Sequence, residues 1–153
     1  MSRIETRLAE LGLALPPIKP PFASFQPVVI VAGLAFVAGQ PPVLGDEQPF
    51  MGRLGAELTL KQGQAAARLA ALNVLAQLRD ALDGDLDRVV RCVKLGVFVN
   101  SVPDFQVQPQ VANGASDMMV EVMGDAGRHA RFAVGTIGPM NFACSVEAIF
   151  QVS

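Results

Sequence analysis

The 153 residues are 51% apolar and only 17% charged, with a net charge of −2, a pI of about 5.3 and a mean hydropathy of +0.39. The length suits one domain, residues 1–153, with a real core, residues 1–20 forming an N-terminal extension. The acidic balance excludes a basic nucleic-acid footprint, and without Tyr or Trp only Phe or Arg could stack on bases.

The apolar excess calls for a membrane or for self-association. The longest apolar run, Pro27 to Gly39, falls short of the ~20 residues of a helical span and is broken by Gly33. Surface hidden against copies of the same chain explains the excess better. Cys92 and Cys144 sit singly in apolar runs without metal-ligand spacing, so free buried thiols are expected and no metal is implied. The opening Met-Ser-Arg-Ile-Glu-Thr-Arg lacks the apolar core of a signal peptide, which suggests a cytoplasmic protein.

In chain order, Ser2 to Gly12 reads as a short amphipathic helix. Ile4, Leu8 and Leu11 share a face, Ser2 can cap it and Gly12 can stop it. Pro16 to Pro21 forbids regular structure. Val28–Val31 is a continuous β-branched run, expected of a strand covered on both sides. Ala32-Gly33 turns the chain into a second strand from Leu34, a hairpin that Gly39-Gln40-Pro41-Pro42 ends. Gly45 to Glu57 is a loop.

Thr59 and Gln62 have capping-box spacing ahead of a helix to Leu82, with Gly84 just beyond. One apolar stripe is Leu60, Ala67, Ala71, Val74, Leu78 and Leu82. A second is Ala65, Leu69, Leu72 and Ala76, so the helix expects two partners. Val89–Val99 is apolar on both alternating sets, as in a central strand. A second helix is expected from about Pro109 to Val122 on the stripe Val111, Ala115, Met118 and Val122. Asn113-Gly114 inside it breaks a local rule, which marks either a site or a loose helix start.

Arg131 then opens a strand in which Arg131, Ala133 and Gly135 share one face and Phe132 and Val134 the other. Phe132 and Val134 are expected to enter the core, with Arg131 pointing away from it. Two roles fit Arg131: a fixed fork for a carboxylate or phosphate, or a surface cation pairing with a neighbour. His129, the only histidine, could contact ligand or carry a proton, or be a hydrogen-bonded structural residue. Arg128 should face solvent or an interface. The last strand alternates, with Val146, Ala148, Phe150 and Val152 on one face and Glu147 on the other. The order ββαβαββ suggests an α+β fold with a mixed sheet and both main helices on one face.

These segments resemble the RidA/YjgF (reactive intermediate deaminase) family, whose members often carry the endoribonuclease L-PSP label. The resemblance lies in Leu34-Ala35-Phe36-Val37-Ala38-Gly39-Gln40, Asp85-Leu86-Asp87-Arg88-Val89-Val90, Val93-Lys94-Leu95, Val97-Phe98-Val99, Ala130-Arg131-Phe132-Ala133-Val134 and Val146-Glu147-Ala148-Ile149. It runs from about Pro27 to Val152. The longer N-terminus and the Gly52–Gly55 loop resemble a less characterised branch.

The resemblance implies a chorismate-mutase-like fold with a six-stranded type of sheet, and a homotrimer with ligand clefts between subunits. It also implies hydrolysis of small carboxylate-bearing enamines or imines to a 2-keto acid and ammonia, without metal or organic cofactor. Arg131 would grip the substrate carboxylate, and Glu147 would position water or relay a proton. Phe25, Gly39, Asn113 and Ala133 would line the ligand. Phe25 stands where relatives often have Tyr, Ala38 where Ser or Thr is frequent, and Ala133 where some carry Cys. The missing polar groups around the pocket favour a second reading, a trimer that binds small carboxylates without turnover. The ribonuclease reading sits poorly with the acidic balance and single histidine.

Overall fold

Local signals set the helices. In the computed structural model, which describes residues 1–21 and 23–153, α1 spans Arg3–Glu10 and α2 Leu60–Ala81. Each starts on a complete capping box, Ser2 with Glu5 and Thr59 with Gln62. α3 spans Gln108–Met123 with Pro109 in its first turn, where a missing N–H is harmless. Among the described residues, no helix is long and apolar enough to cross a membrane.

The strands are β1 (Val28–Val31), β2 (Leu34–Gln40), β3 (Val89–Asn100), β4 (Ala130–Thr136) and β5 (Cys144–Val152). Among the described residues they form one mixed sheet in the order β1-β2-β5-β3-β4, five strands where a six-stranded type is expected. Ala32 and Gly33 turn β1 into β2 with φ of 50° and 74°, the doubly positive geometry that matches strand twist. β3 and β4 alone run parallel, because α3 carries the chain back over the sheet between them. α2 packs on β2 and β5, α3 on β3 and β4, and α1 on α3 and the turn Leu86–Arg88. The order ββαβαββ and the helix-covered face are as expected.

One face of the sheet is core and the other is bare. Val146, Ala148, Phe150 and Val152 are buried beneath α2, as their alternation predicts. On the opposite side Val29, Val31, Phe36 and Phe132 are left exposed. β1 is therefore not covered on both sides within this chain, and its β-branched run faces outward. In β3 the alternation breaks where pairing with β5 shifts between Cys92 and Lys94. That bulge turns Cys92 into the core and leaves Val93 partly exposed.

β4 also departs from expectation. Its register sets Arg131 beside the buried Leu95, and Phe132 beside Gly96. Arg131, Ala133 and Gly135 consequently lie on the helix side, while Phe132, 49% exposed, meets Phe98 edge-on at 6.1 Å on the bare face. Space there is limited: a Cβ on Gly135 would come within 2.9 Å of Gln108 Nε2, in the first turn of α3, and that amide would have to shift.

In α2 the buried set is Gly63, Ala66, Ala67, Ala70, Ala71 and the run Leu72–Ala76 with Leu78. Ala65 of the expected second stripe is instead exposed. Asn73, a polar residue in the sequence pattern, is buried and donates to the Val43 and Leu69 carbonyls at 2.8 and 3.0 Å. Gly114 is no defect: a Cβ there would lie 2.0 Å from the Gln64 carbonyl oxygen of α2. The two helix backbones touch at that point.

Gly114→Ala should therefore lower stability by about 3 kcal/mol, the upper end of overpacking, despite alanine's better helix propensity. A urea midpoint equal to wild type would show that the helices do not meet there. A second expectation concerns Glu5, which accepts from the Ser2 N–H at 3.0 Å and from Arg79 Nε at 2.6 Å. The Ser2 backbone bond first, then the Ser2 hydroxyl and Arg79, hold its carboxyl below the ordinary value of 4.5. A depressed folded value stabilises fully above the unfolded value and is lost as pH falls through the folded one. Glu5→Gln should thus lower the melting temperature at neutral pH, with a gap that closes on acidification; a pH-independent gap would contradict this.

Candidate functional site

Arg131 stands at the start of the edge strand β4, where α3 passes over it. Its Nη1 donates to Asn113 Oδ1 at 2.7 Å and to Ser116 Oγ at 3.2 Å. Both acceptors are neutral. Among the described residues Arg131 makes no ion pair, and its Nε and Nη2 have no hydrogen-bond partner. Arg128, by contrast, is exposed and pairs with Asp125 at 3.5 Å. Asn113 and Ser116 lie three apart on α3 and so share the face turned to β4. Asn113-Gly114 thus serves two contacts, one side chain on Arg131 and one bare backbone on α2. Ala133 follows on Arg131's face and packs against the core.

Ser116 escaped the sequence reading, although its spacing from Asn113 could have flagged it. It also lies 2.9 Å from His129 Nε2, and His129 Nδ1 lies 2.6 Å from the Gly127 carbonyl oxygen. His129 precedes β4 and joins Arg131's side of the sheet through that hydroxyl.

Glu147 is elsewhere. It projects from β5 onto the bare face, with its side chain over Gly96, whose Cβ would meet the Glu147 Oε1 at 2.7 Å. A side chain at position 96 would displace it. Glu147 makes no salt bridge among the described residues. It lines a cavity of about 320 Å³ with Lys94, Phe36 and Ile149.

Phe25 and Gly39 occupy a third place. They line a cavity of about 700 Å³ with Pro27, Met140, Phe142 and Ser145 among others. Gly39 lies close to Ser145: a Cβ would meet Ser145 Oγ at 2.7 Å, so that hydroxyl would have to turn away. One wall is fixed by Asn100, only 3% exposed, which donates to the Gly52 carbonyl and Asn141 Oδ1 and accepts from the Gly138 N–H. Met140 and Asn141 in that wall have φ of 53° and 60°. Cys144 also borders the cavity; burial pushes its thiol, like that of Cys92, up to about 12, so neither is a ready nucleophile. Both are free and buried, as expected.

A single chain therefore brings Arg131, Asn113 and Ala133 together, and Phe25 with Gly39, but sets Glu147 on the opposite face of the sheet from Arg131. None of the cavities named above includes Arg131. Among the described residues no group of three or more His, Cys, Asp or Glu could hold a metal.

Residues 5–151 match the family described as "YjgF/chorismate mutase-like, putative endoribonuclease". The chain belongs to this YjgF family. The sequence is 45% identical to protein TCP17 of Trypanosoma cruzi, over 99% of this chain and 95% of that one. The fold agrees with two solved relatives. One, from Agrobacterium tumefaciens and described as of unknown function, is 41% identical with a TM-score of 0.91, over 98% of this chain and 93% of that one. The other, from Shewanella oneidensis and described as a "putative endoribonuclease", is 35% identical with a TM-score of 0.93, over 97% and 99%. As a YjgF protein, the chain shares the family's α+β sheet and helices from end to end.

Proposed function

We propose that this YjgF protein hydrolyses small enamines or imines bearing a carboxylate, giving a 2-keto acid and ammonia in clefts between protomers of a homotrimer. The observation that carries the reading is the Arg131 guanidinium. Its Nη1 is occupied by neutral acceptors, while among the described residues the Nε–Nη2 edge has no partner. That edge is a two-pronged donor matched to a carboxylate.

The chemistry asks little more of the site. Water adds its oxygen to the imine carbon, and the nitrogen takes up a proton. The carbinolamine nitrogen then takes up a second proton and leaves as ammonia, while the hydroxyl gives up its proton and C=O forms. A site that orients the imine and offers one carboxylate to pass protons suffices. Glu147 would serve as that carboxylate. Because it and Arg131 occupy opposite faces of one sheet, the reading requires them to meet through a neighbouring copy. The bare apolar face bearing Val29, Val31, Phe36 and Phe132 supports such an assembly.

A second reading is a trimer that binds small carboxylates without turnover. Phe25, with no hydroxyl to offer, and the apolar lining of the larger cavity favour it.

The test generates 2-iminobutyrate with an amino-acid dehydratase, traps it with semicarbazide and adds the protein. The expected result is faster imine loss, reduced about 10- to 100-fold in Arg131→Ala, as for a lost hydrogen bond to a charged group. Sedimentation should give a trimer. Unchanged imine loss with Arg131-dependent 2-oxobutyrate binding would select the binder. A monomer in solution would overturn both readings.

A further inference from the structure

Four side chains from two places in the chain, Asn113 and Ser116 on α3 and His129 and Arg131 at the start of β4, converge beside the edge strand. The Gly127 carbonyl oxygen can only accept, so the proton at their 2.6 Å contact belongs to His129 Nδ1. In the neutral imidazole Nε2 is then the lone-pair nitrogen, and the Ser116 hydroxyl, 2.9 Å away, donates to it. Donation to the ring fixes the hydroxyl rotor. Its lone pairs are left for Arg131 Nη1, which reaches Oγ at 3.2 Å and Asn113 Oδ1 at 2.7 Å.

We propose that His129 is a positioning residue: acting through the Ser116 hydroxyl, it holds Arg131 by Nη1 and so presets the Nε–Nη2 edge for a ligand carboxylate. The inference rests on the carboxylate reading above and adds the device that orients the fork. Both ring nitrogens of the neutral imidazole are engaged, so His129 has no free nitrogen to offer a ligand. A mobile arginine gives up roughly 1.5–2 kcal/mol of side-chain entropy when ordered. A guanidinium already anchored at one nitrogen has met part of that cost before ligand arrives. Without His129 the Ser116 hydroxyl is free to turn and donate elsewhere, and Arg131 keeps only Asn113 as a fixed acceptor.

The experiment compares wild type, Ser116→Ala, His129→Ala and His129→Gln, in which the amide oxygen can accept from Ser116 in place of the imidazole. The first readout uses ligand-free protein: the Arg131 side-chain N–H signals in nitrogen-15 NMR, assigned by their loss in Arg131→Ala. Slowly rotating, resolved Nη protons in wild type that collapse in Ser116→Ala and His129→Ala and return in His129→Gln support the proposal. Signals unchanged in His129→Ala overturn it.

The second readout is affinity for 2-oxobutyrate. It should fall about 5- to 10-fold in the two broken variants and stay within about 2-fold of wild type in His129→Gln, the scale of one hydrogen bond. If the NMR signals behave as expected and wild type binds no 2-oxobutyrate, the positioning of Arg131 stands and the carboxylate reading fails.

Discussion

The parallel pairing of β3 with β4 is the constraint on which the rest depends. Seven residues of β4, Ala130 to Thr136, lie in register against Lys94 to Asn100. Since side chains alternate along a strand, that one register decides which of them meet α3 and which face outward. A slip of one residue would send Phe132 toward α3 and strip Arg131 of Asn113 and Ser116. The register is held from above by α3, whose own position is set by the Gly114 backbone pressed against α2. Site and core are thus one packing problem.

The helix-covered face and the bare face divide the chemistry. On the covered side an arginine is held by amide, hydroxyl and, at one remove, imidazole, with no ion-pair partner among the described residues. On the bare side a carboxylate lies over Gly96 in a cavity shared with Lys94, Phe36 and Ile149. A cation not neutralised by its own chain keeps its full attraction for an anion, and a guanidinium on a strand loses less freedom on binding than one on a loop.

Much of the fold was legible because its signals are local. The capping boxes at Ser2 and Thr59, the alternation of β5 and the stripe of α3 each specify an element within a few residues. What escaped depends on distant pairing. The bulge at Cys92–Lys94 arises in the pairing with β5, so the two apolar alternating sets of β3 do not reveal which of Cys92 and Val93 faces the core. Alternation in β4 does not say which face meets α3; the register with β3 sets Arg131, Ala133 and Gly135 there and turns Phe132 outward. β1 looked doubly covered because a β-branched run carries no label for what covers it. The burial of Asn73 and Asn100 has no local signal, since nothing near them in the sequence reveals a carbonyl waiting across the structure. At the candidate site Arg131 and Asn113 could be named from the sequence and its family resemblance. Ser116, an ordinary helical serine in the sequence, became significant only once β4 was in place.

The most direct test of the central claim, that Arg131 is a preset receptor for small carboxylates, is a calorimetric titration of 2-oxobutyrate beside its neutral methyl ester. The account predicts saturable binding of the acid alone, abolished in Arg131→Ala. Equal binding of acid and ester, or acid binding that survives the loss of Arg131, would contradict it.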